Sequence, residues 1–230
     1  MIHAMILVKN EADRWLVDTL TQLKKISDRI VVLDDVSSDN TVDICKKFTK
    51  EVYENRESLW GQDELLARQK LWNLTIKNAN YGDWIICLDA DELFVDGHLE
   101  YIKYLFKTLS SGVDSIGFKL HDMWNDTHYR NDQYWKAHKH YWCMAIKYDA
   151  REYVWHNKKL HCGRFPANGG KAMLPTQIPI KHMGWSRATD RAKKYIRYME
   201  TDPHGVNGIL AQYKSIMDES PILAKFGGAE

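Results

Sequence analysis

The sequence predicts an α/β fold, a mostly parallel sheet flanked by helices, with an irregular C-terminal half. Three observations lead there. Apolar runs of strand length alternate with helix-period stretches through about the first 110 residues. Three of those strands stop in a polar or acidic cluster, Lys9-Asn10-Glu11, Asp34-Asp35 and Asp89-Ala90-Asp91. Beyond residue 112 the alternation gives way to a polar, aromatic stretch interrupted by Pro166, Gly169, Gly170, Pro175 and Pro179.

Ile2–Val8 is a short apolar run with one His, and Glu11–Lys25 carries Ala12, Trp15, Leu16, Leu20 and Leu23 at helical spacing. Arg29–Leu33 has the pattern of a buried strand. The next helix starts at Asp39 or Asn40, both good N-caps, and buries Val42, Ile44, Cys45 and Phe48. A short strand near Val52 precedes a long helix, Asp63–Asn78, with Leu65, Leu66, Gln69, Trp72 and Ile76 along one side. Trp84–Leu88 is the most apolar strand, followed by a helix at Gly97–Leu109. Ser115–Leu120 and Cys143–Tyr148 are strands, the segment from Pro166 to Pro179 is expected as loops, and helices at Arg187–Met199 and Gly208–Met217 close the chain. Strands and helices alternating in this way imply right-handed βαβ units.

At 230 residues, 44% apolar and 27% charged with five prolines, the chain can bury a core and is neither collagen-like, low-complexity nor disordered. No apolar run approaches the ~20 residues that span a bilayer. The sequence opens on a strand rather than a signal peptide, and Cys45, Cys87, Cys143 and Cys162 form no CxxC, so a reduced, cytoplasmic protein is expected. The net charge of +1 hides a division: residues 1–118 hold 14 Lys and Arg against 20 acids, and residues 119–230 hold 18 against 11. The stretch 119–164 adds six His and nine Trp or Tyr, suited to an anionic or flat ligand, although many of the aromatics can equally form a core.

In an open parallel sheet, ligands bind outside the carboxyl ends of the strands, so the three clusters converge on one crevice. Paired carboxylates can accept from ribose hydroxyls and a base N–H, and two carboxylates one residue apart can hold Mg²⁺ or Mn²⁺ with positions open for diphosphate oxygens. Each cluster alone is also ordinary turn chemistry. There is no GxGxxG after the first strand and no GxxxxGK[ST], so neither a dinucleotide site nor a P-loop is supported.

With MILVKNEADRWLVDTL at Met5–Leu20, RIVVLDDVSSDNTVDIC at Arg29–Cys45 and LLARQKLWNLTIKNANYGDWIICLDADELF at Leu65–Phe94, the sequence resembles the nucleotide-sugar transferases of glycosyltransferase family 2, which have the GT-A fold. That family reads strand–KNE–helix, then VVDDGSTDGT, then ARN…A.GDWI..LDADE. The resemblance covers nearly half the chain and thins to IKHMGWS at Ile180–Ser186 and a Lys/Arg/Tyr-rich helix. It implies a nucleotide-sugar-binding half, residues 1–112, and an acceptor-binding half, residues 113–230, of one domain. Asn10 and Glu11 would line the nucleoside pocket, and Asp35, with Asp34 beside it, would contact base or ribose. Arg68 takes the place of the family's Arg near base and phosphates, with Gln69 in place of the usual Asn. Asp89 would face the ribose and metal shell, Asp91 would ligate Mn²⁺ or Mg²⁺, and His182 would complete the metal or diphosphate site.

The resemblance implies inverting transfer to a hydroxyl, which needs a carboxylate base. Asp122, just past SIGFKL, is the first candidate, with Glu92 and Glu152 behind it; His161-Cys162 stands where related enzymes often show His-Glu. The expected donor is a UDP-sugar and the expected acceptor a glycan or lipid-linked glycan. Two alternatives are transfer to a hydroxylated base in DNA, and a non-catalytic module binding glycans or nucleotide sugars. The cations Arg187, Arg191, Lys193, Lys194 and Arg197 suit a solvated helix face or peripheral contact with an anionic membrane.

Overall fold

The structure, a computed structural model, describes residues 1–110, 112–160 and 162–227. β1 (Ile2–Val8) is buried along its whole length, as a central strand covered on both faces must be. α1 (Leu16–Ile26) buries Leu16, Leu20, Leu23 and Ile26. It starts five residues later than its apolar spacing predicts, after a turn in which the Glu11 and Ala12 amides donate to Thr41 Oγ1 and the Asp39 carboxylate at 2.7 and 3.1 Å. β2 (Arg29–Asp34) leads to the short α2 (Thr41–Lys46), where Asp39 accepts from the Thr41 amide and hydroxyl at 3.0 and 2.5 Å.

β3 (Val52–Glu54) and α3 (Glu64–Ile76) follow, with Asp63 accepting from the Leu66 amide at 3.0 Å as N-cap. The buried side of α3 is Ala67, Leu71, Trp72 and Thr75, while Leu66 is exposed. This differs from the expected face because apolar residues surround the helix. The choice is made by Trp72, whose ring meets Tyr153, Trp155 and Phe165 edge-on. β4 (Trp84–Cys87), β5 (Glu92–Phe94) and α4 (Leu99–Thr108) complete the first half.

In the second half, β6 (Ser115–Asp122), β7 (His128–Arg130), β8 (Trp142–Lys147) and β9 (Met173–His182) precede α5 (Ala188–Thr201), α6 (Leu210–Ser215) and β10 (Leu223–Lys225). β9 corrects the expectation of loops up to Pro179. Among the described residues, eight strands form one sheet in the order β3-β2-β1-β4-β8-β6-β9-β5, and β7 pairs with β10 in a separate ribbon. β1, β2, β3 and β4 are mutually parallel where they pair, as are β6 and β9, whereas β8 and β5 run against their neighbours.

Apolar residues of α1 and α4 cover one face of the sheet, and α3 with Tyr153, Trp155 and Phe165 covers the other. A third cluster, Trp124, Trp135, Trp185 and Ile216, lies beside α5, so several aromatics of the 119–164 stretch are core. Among the described residues, no helix is long and apolar enough to cross a membrane.

Candidate active site

The carboxyl ends of β1 and β4 open into a cavity of 390 Å³, closed from the far side by His182, Trp185 and the cations of α5. The chain brings these parts together through pairing rather than proximity in sequence. β9 lies between β6 and β5, which sets His182 opposite both Asp122 and Glu92. The Met183 amide donates to the Asp91 carbonyl at 2.7 Å and locks the turn after β9 onto the acidic turn after β4.

Asn10, Glu11, Arg68, Asp89, Asp91 and His182 all line the cavity. Asn10 has a left-handed backbone, φ 52°, and its Oδ1 accepts from the Ser38 amide at 2.8 Å. Glu11 is buried, and Arg14 Nη1 donates to both of its carboxyl oxygens at 2.8 and 2.9 Å. Burial and then the nearby Asp91 charge push its carboxyl up to about 8. Arg68 donates to Asp89 Oδ1 at 2.7 Å, and Arg164 reaches Asp89 Oδ2 at 3.4 Å. Burial opposes ionisation of Asp89, but these two guanidinium groups outweigh it and hold the carboxyl below its usual range.

Asp34 and Asp35 stand differently. Asp34 accepts from the Ser37 amide at 2.8 Å and its hydroxyl at 2.5 Å, so its charge shapes the turn. Asp35 collects the Leu59 and Trp60 amides at 2.9 Å, Ser58 Oγ at 2.7 Å and Asn55 Nδ2 at 2.8 Å. It thereby pins the segment that carries Trp60 into the cavity wall. Neither carboxylate is among the groups lining the cavity.

Glu92 does not suit a catalytic base. It is 1% exposed, gripped by Arg164 at 2.8 and 2.5 Å, and accepts from the Asp89 amide at 2.9 Å. An acceptor hydroxyl cannot reach a carboxylate so enclosed, and its task is to brace the turn that presents Asp89 and Asp91. Glu152 lies in the irregular stretch 149–160 and does not line the cavity. His161 lies outside the described residues.

Asp122 accepts from His182 Nδ1 at 2.7 Å, which leaves Nε2 facing Asp91 Oδ1 at 3.6 Å. Burial works against the imidazolium, yet Asp91 and Asp122 together raise the ring's pKa. A histidine fixed through one nitrogen by a carboxylate and presenting the other is the orientation of a metal-binding imidazole. Mg²⁺ and Mn²⁺ need few protein ligands where diphosphate oxygens and water fill the remaining positions. Asp91 and His182 fit such an ion, and substrate oxygens would have to complete the shell, since no group of three potential ligands converges among the described residues.

Asp122 also lines a second cavity of 330 Å³ with Tyr134, Trp142, Lys136 and His140. His182 and Trp185 border both spaces and form the wall between them. The residues missed by sequence reasoning are Arg14, Trp60, Trp185 and Arg164. Their sequence pattern puts Lys194 and Arg197 on a solvated or membrane-facing helix side. In fact they point into the first cavity, and Arg191 donates inward to the Trp124 and Trp185 carbonyls at 3.0 and 2.6 Å.

The model of glycosyl transferase family 2 matches residues 4–162. Two uncharacterized proteins, from Mycobacterium tuberculosis and Mycobacterium bovis, are each 25% identical, with 84% of this chain and 49% of theirs covered. The chain thus spans about half the length of the curated relatives it matches. Residues 1–349 of S. aureus TarS superpose with a TM-score of 0.52 at 13% identity, over 94% of this chain and 68% of that one. The same protein in complex with UDP gives 0.50 at 12% identity, over 94% and 69%. At such identities the likeness shows the fold, which is of the GT-A type.

Proposed function

The chain belongs to glycosyl transferase family 2, and from that premise we propose that it moves a sugar from a nucleoside-diphosphate sugar, a UDP-sugar first, to a hydroxyl of a glycan or lipid-linked glycan acceptor, with inversion and a divalent ion. The observation that carries the reading is the shared wall: His182 and Trp185 border a charged cavity on one side and an aromatic one on the other. A donor and an acceptor must meet across one bond, and two cavities sharing a wall of two side chains meet that need.

In this reading residues 1–112 supply most of the donor side, with Asn10, Glu11 and Trp60 around the nucleoside and Arg68 near the phosphates. Asp34 and Asp35 act through the turn and the 55–60 segment that they hold. UDP is the first choice because TarS, which shares the fold, was solved in complex with it. Asp91 and His182 would hold Mn²⁺ or Mg²⁺, which when bound supplies Lewis-acid neutralisation of the leaving diphosphate. Asp89, fixed by Arg68 and Arg164, stays ionised beside it and accepts from ribose hydroxyls. Residues 113–230 supply the acceptor side, where Tyr134 and Trp142 offer flat faces to a sugar ring. Asp122 takes the proton of the attacking hydroxyl, and the His182 ring bonded to it keeps its carboxylate aimed at the wall.

Titration calorimetry with UDP, and with GDP and dTDP beside it, tests this with and without Mn²⁺. One nucleotide is expected to gain at least tenfold in affinity from Mn²⁺, and Asp91→Ala to lose that gain. Absence of nucleotide binding under every condition would sink the reading.

A further inference from the structure

Among the described residues, five cations border the first cavity: Lys9, Arg14, Arg68, Lys194 and Arg197. Three are committed to neighbours. Lys9 donates to Ser58 and reaches Asp35 at 3.4 Å, Arg14 grips Glu11, and Arg68 grips Asp89. Lys194 and Arg197, one turn apart on α5, are held far more loosely. Lys194 Nζ lies 3.4 Å from Asp91 Oδ2 and 4.3 Å above the Trp185 ring. That ion-pair distance exceeds the ~2.7–2.9 Å of a strong charge-assisted hydrogen bond. The Arg197 guanidinium lies over Trp60 and Tyr198 at 5.4 and 4.9 Å, and no carboxylate pairs with it among the described residues.

We propose that Lys194, with Arg197 beside it, is a diphosphate ligand that rests on Asp91 until a nucleoside diphosphate arrives and then exchanges carboxylate for phosphate. The inference rests on the transferase reading and deepens it. Together the two side chains carry two positive charges, as many as one divalent ion, on the cavity side facing Asp91. An ammonium on a four-carbon stem can swing between two anions without moving the helix, whereas the planar guanidinium of Arg14 is held in place by Nη1 on Glu11 and Nε 3.4 Å from Asp190, with Nη2 left 3.5 Å from Asp91. Gly184 makes the resting contact possible, since a Cβ there would overlap both the Asp91 carboxylate and the Lys194 ammonium.

Two consequences separate this role from a merely structural one. Part of the affinity for a nucleoside diphosphate survives without metal, and it belongs to Lys194 and Arg197. Lys194 also competes with a metal ion for Asp91, so its removal favours binding of the ion alone while weakening the nucleotide. Lys194→Met keeps the stem that packs on Trp185 and deletes the charge; Lys194→Arg keeps the charge.

The test is calorimetry in EDTA with UDP, GDP, dTDP and inorganic pyrophosphate, together with Mn²⁺ alone followed by electron paramagnetic resonance. Wild type is expected to bind pyrophosphate and one nucleotide in EDTA, more weakly as salt rises. Lys194→Met should lose about tenfold or more, Lys194→Arg should stay within about threefold, and Mn²⁺ alone should bind Lys194→Met at least as tightly as wild type. Unchanged binding in EDTA by Lys194→Met would overturn the proposal, as would joint loss of Mn²⁺ and nucleotide. A wild type that binds nucleotide only with Mn²⁺ would overturn it and leave the transferase reading standing; one that binds no nucleotide at all would overturn both.

Discussion

Val36 holds a left-handed backbone, φ 61°, directly after Asp34-Asp35. A β-branched residue there sets its Cβ against the neighbouring carbonyl, at a cost of roughly 1–2 kcal/mol. The turn imposes the angle because it folds the Ser37 amide and hydroxyl back to donate to Asp34. The DDGS motif that this segment resembles has Gly at that position. Val36 is 44% exposed, so little apolar burial is lost on its removal. Val36→Gly is therefore expected to raise the unfolding free energy by about 1 kcal/mol in urea titrations at unchanged slope. At this scale the acidic residues were legible because they follow strand-forming runs directly. Arg164 was not: it braces Glu92 from 72 positions away, and nothing in GRFP marks it as the partner of a buried carboxylate. That same partner is what removes Glu92 from the reaction.

The turn Met183–Trp185 shows how an element aims a site. It follows β9, accepts its place from the Met183–Asp91 backbone bond, and puts Gly184 against Asp91 and Lys194. Gly184→Ala would push those two charges apart without touching the sheet. Nucleotide binding with Mn²⁺ is expected to fall by more than tenfold in calorimetry, while the far-ultraviolet circular dichroism spectrum stays that of the wild type. β9 itself escaped the sequence for a physical reason. Pro175 and Pro179 argue against a central strand, and β9 tolerates them because β5 pairs only with its last three residues, 180–182. The stretch before that is an edge, and its register on β6 shifts between Gly117 and Lys119. β1, β2 and β4, buried along nearly all their length, announce themselves as apolar runs.

Across the whole molecule, the two halves of the sequence share one sheet, and the opposed charge balances meet at its carboxyl edge. Glu11, Asp89 and Asp91 come from the acidic half, and His182, Lys194 and Arg197 from the basic one. The acidic side of that convergence was legible in the clusters after β1 and β4, whereas Asp34-Asp35, after β2, does not line the cavity. The shared wall was not legible, because it depends on β9 lying between β6 and β5. If donor and acceptor meet across His182 and Trp185, a crystal structure with Mn²⁺ and a non-transferable UDP-sugar analogue will hold the diphosphate between Asp91–His182 and Lys194–Arg197, with the anomeric carbon directed toward the cavity that holds Asp122. A nucleotide bound elsewhere, or a sugar directed away from Asp122, would contradict it.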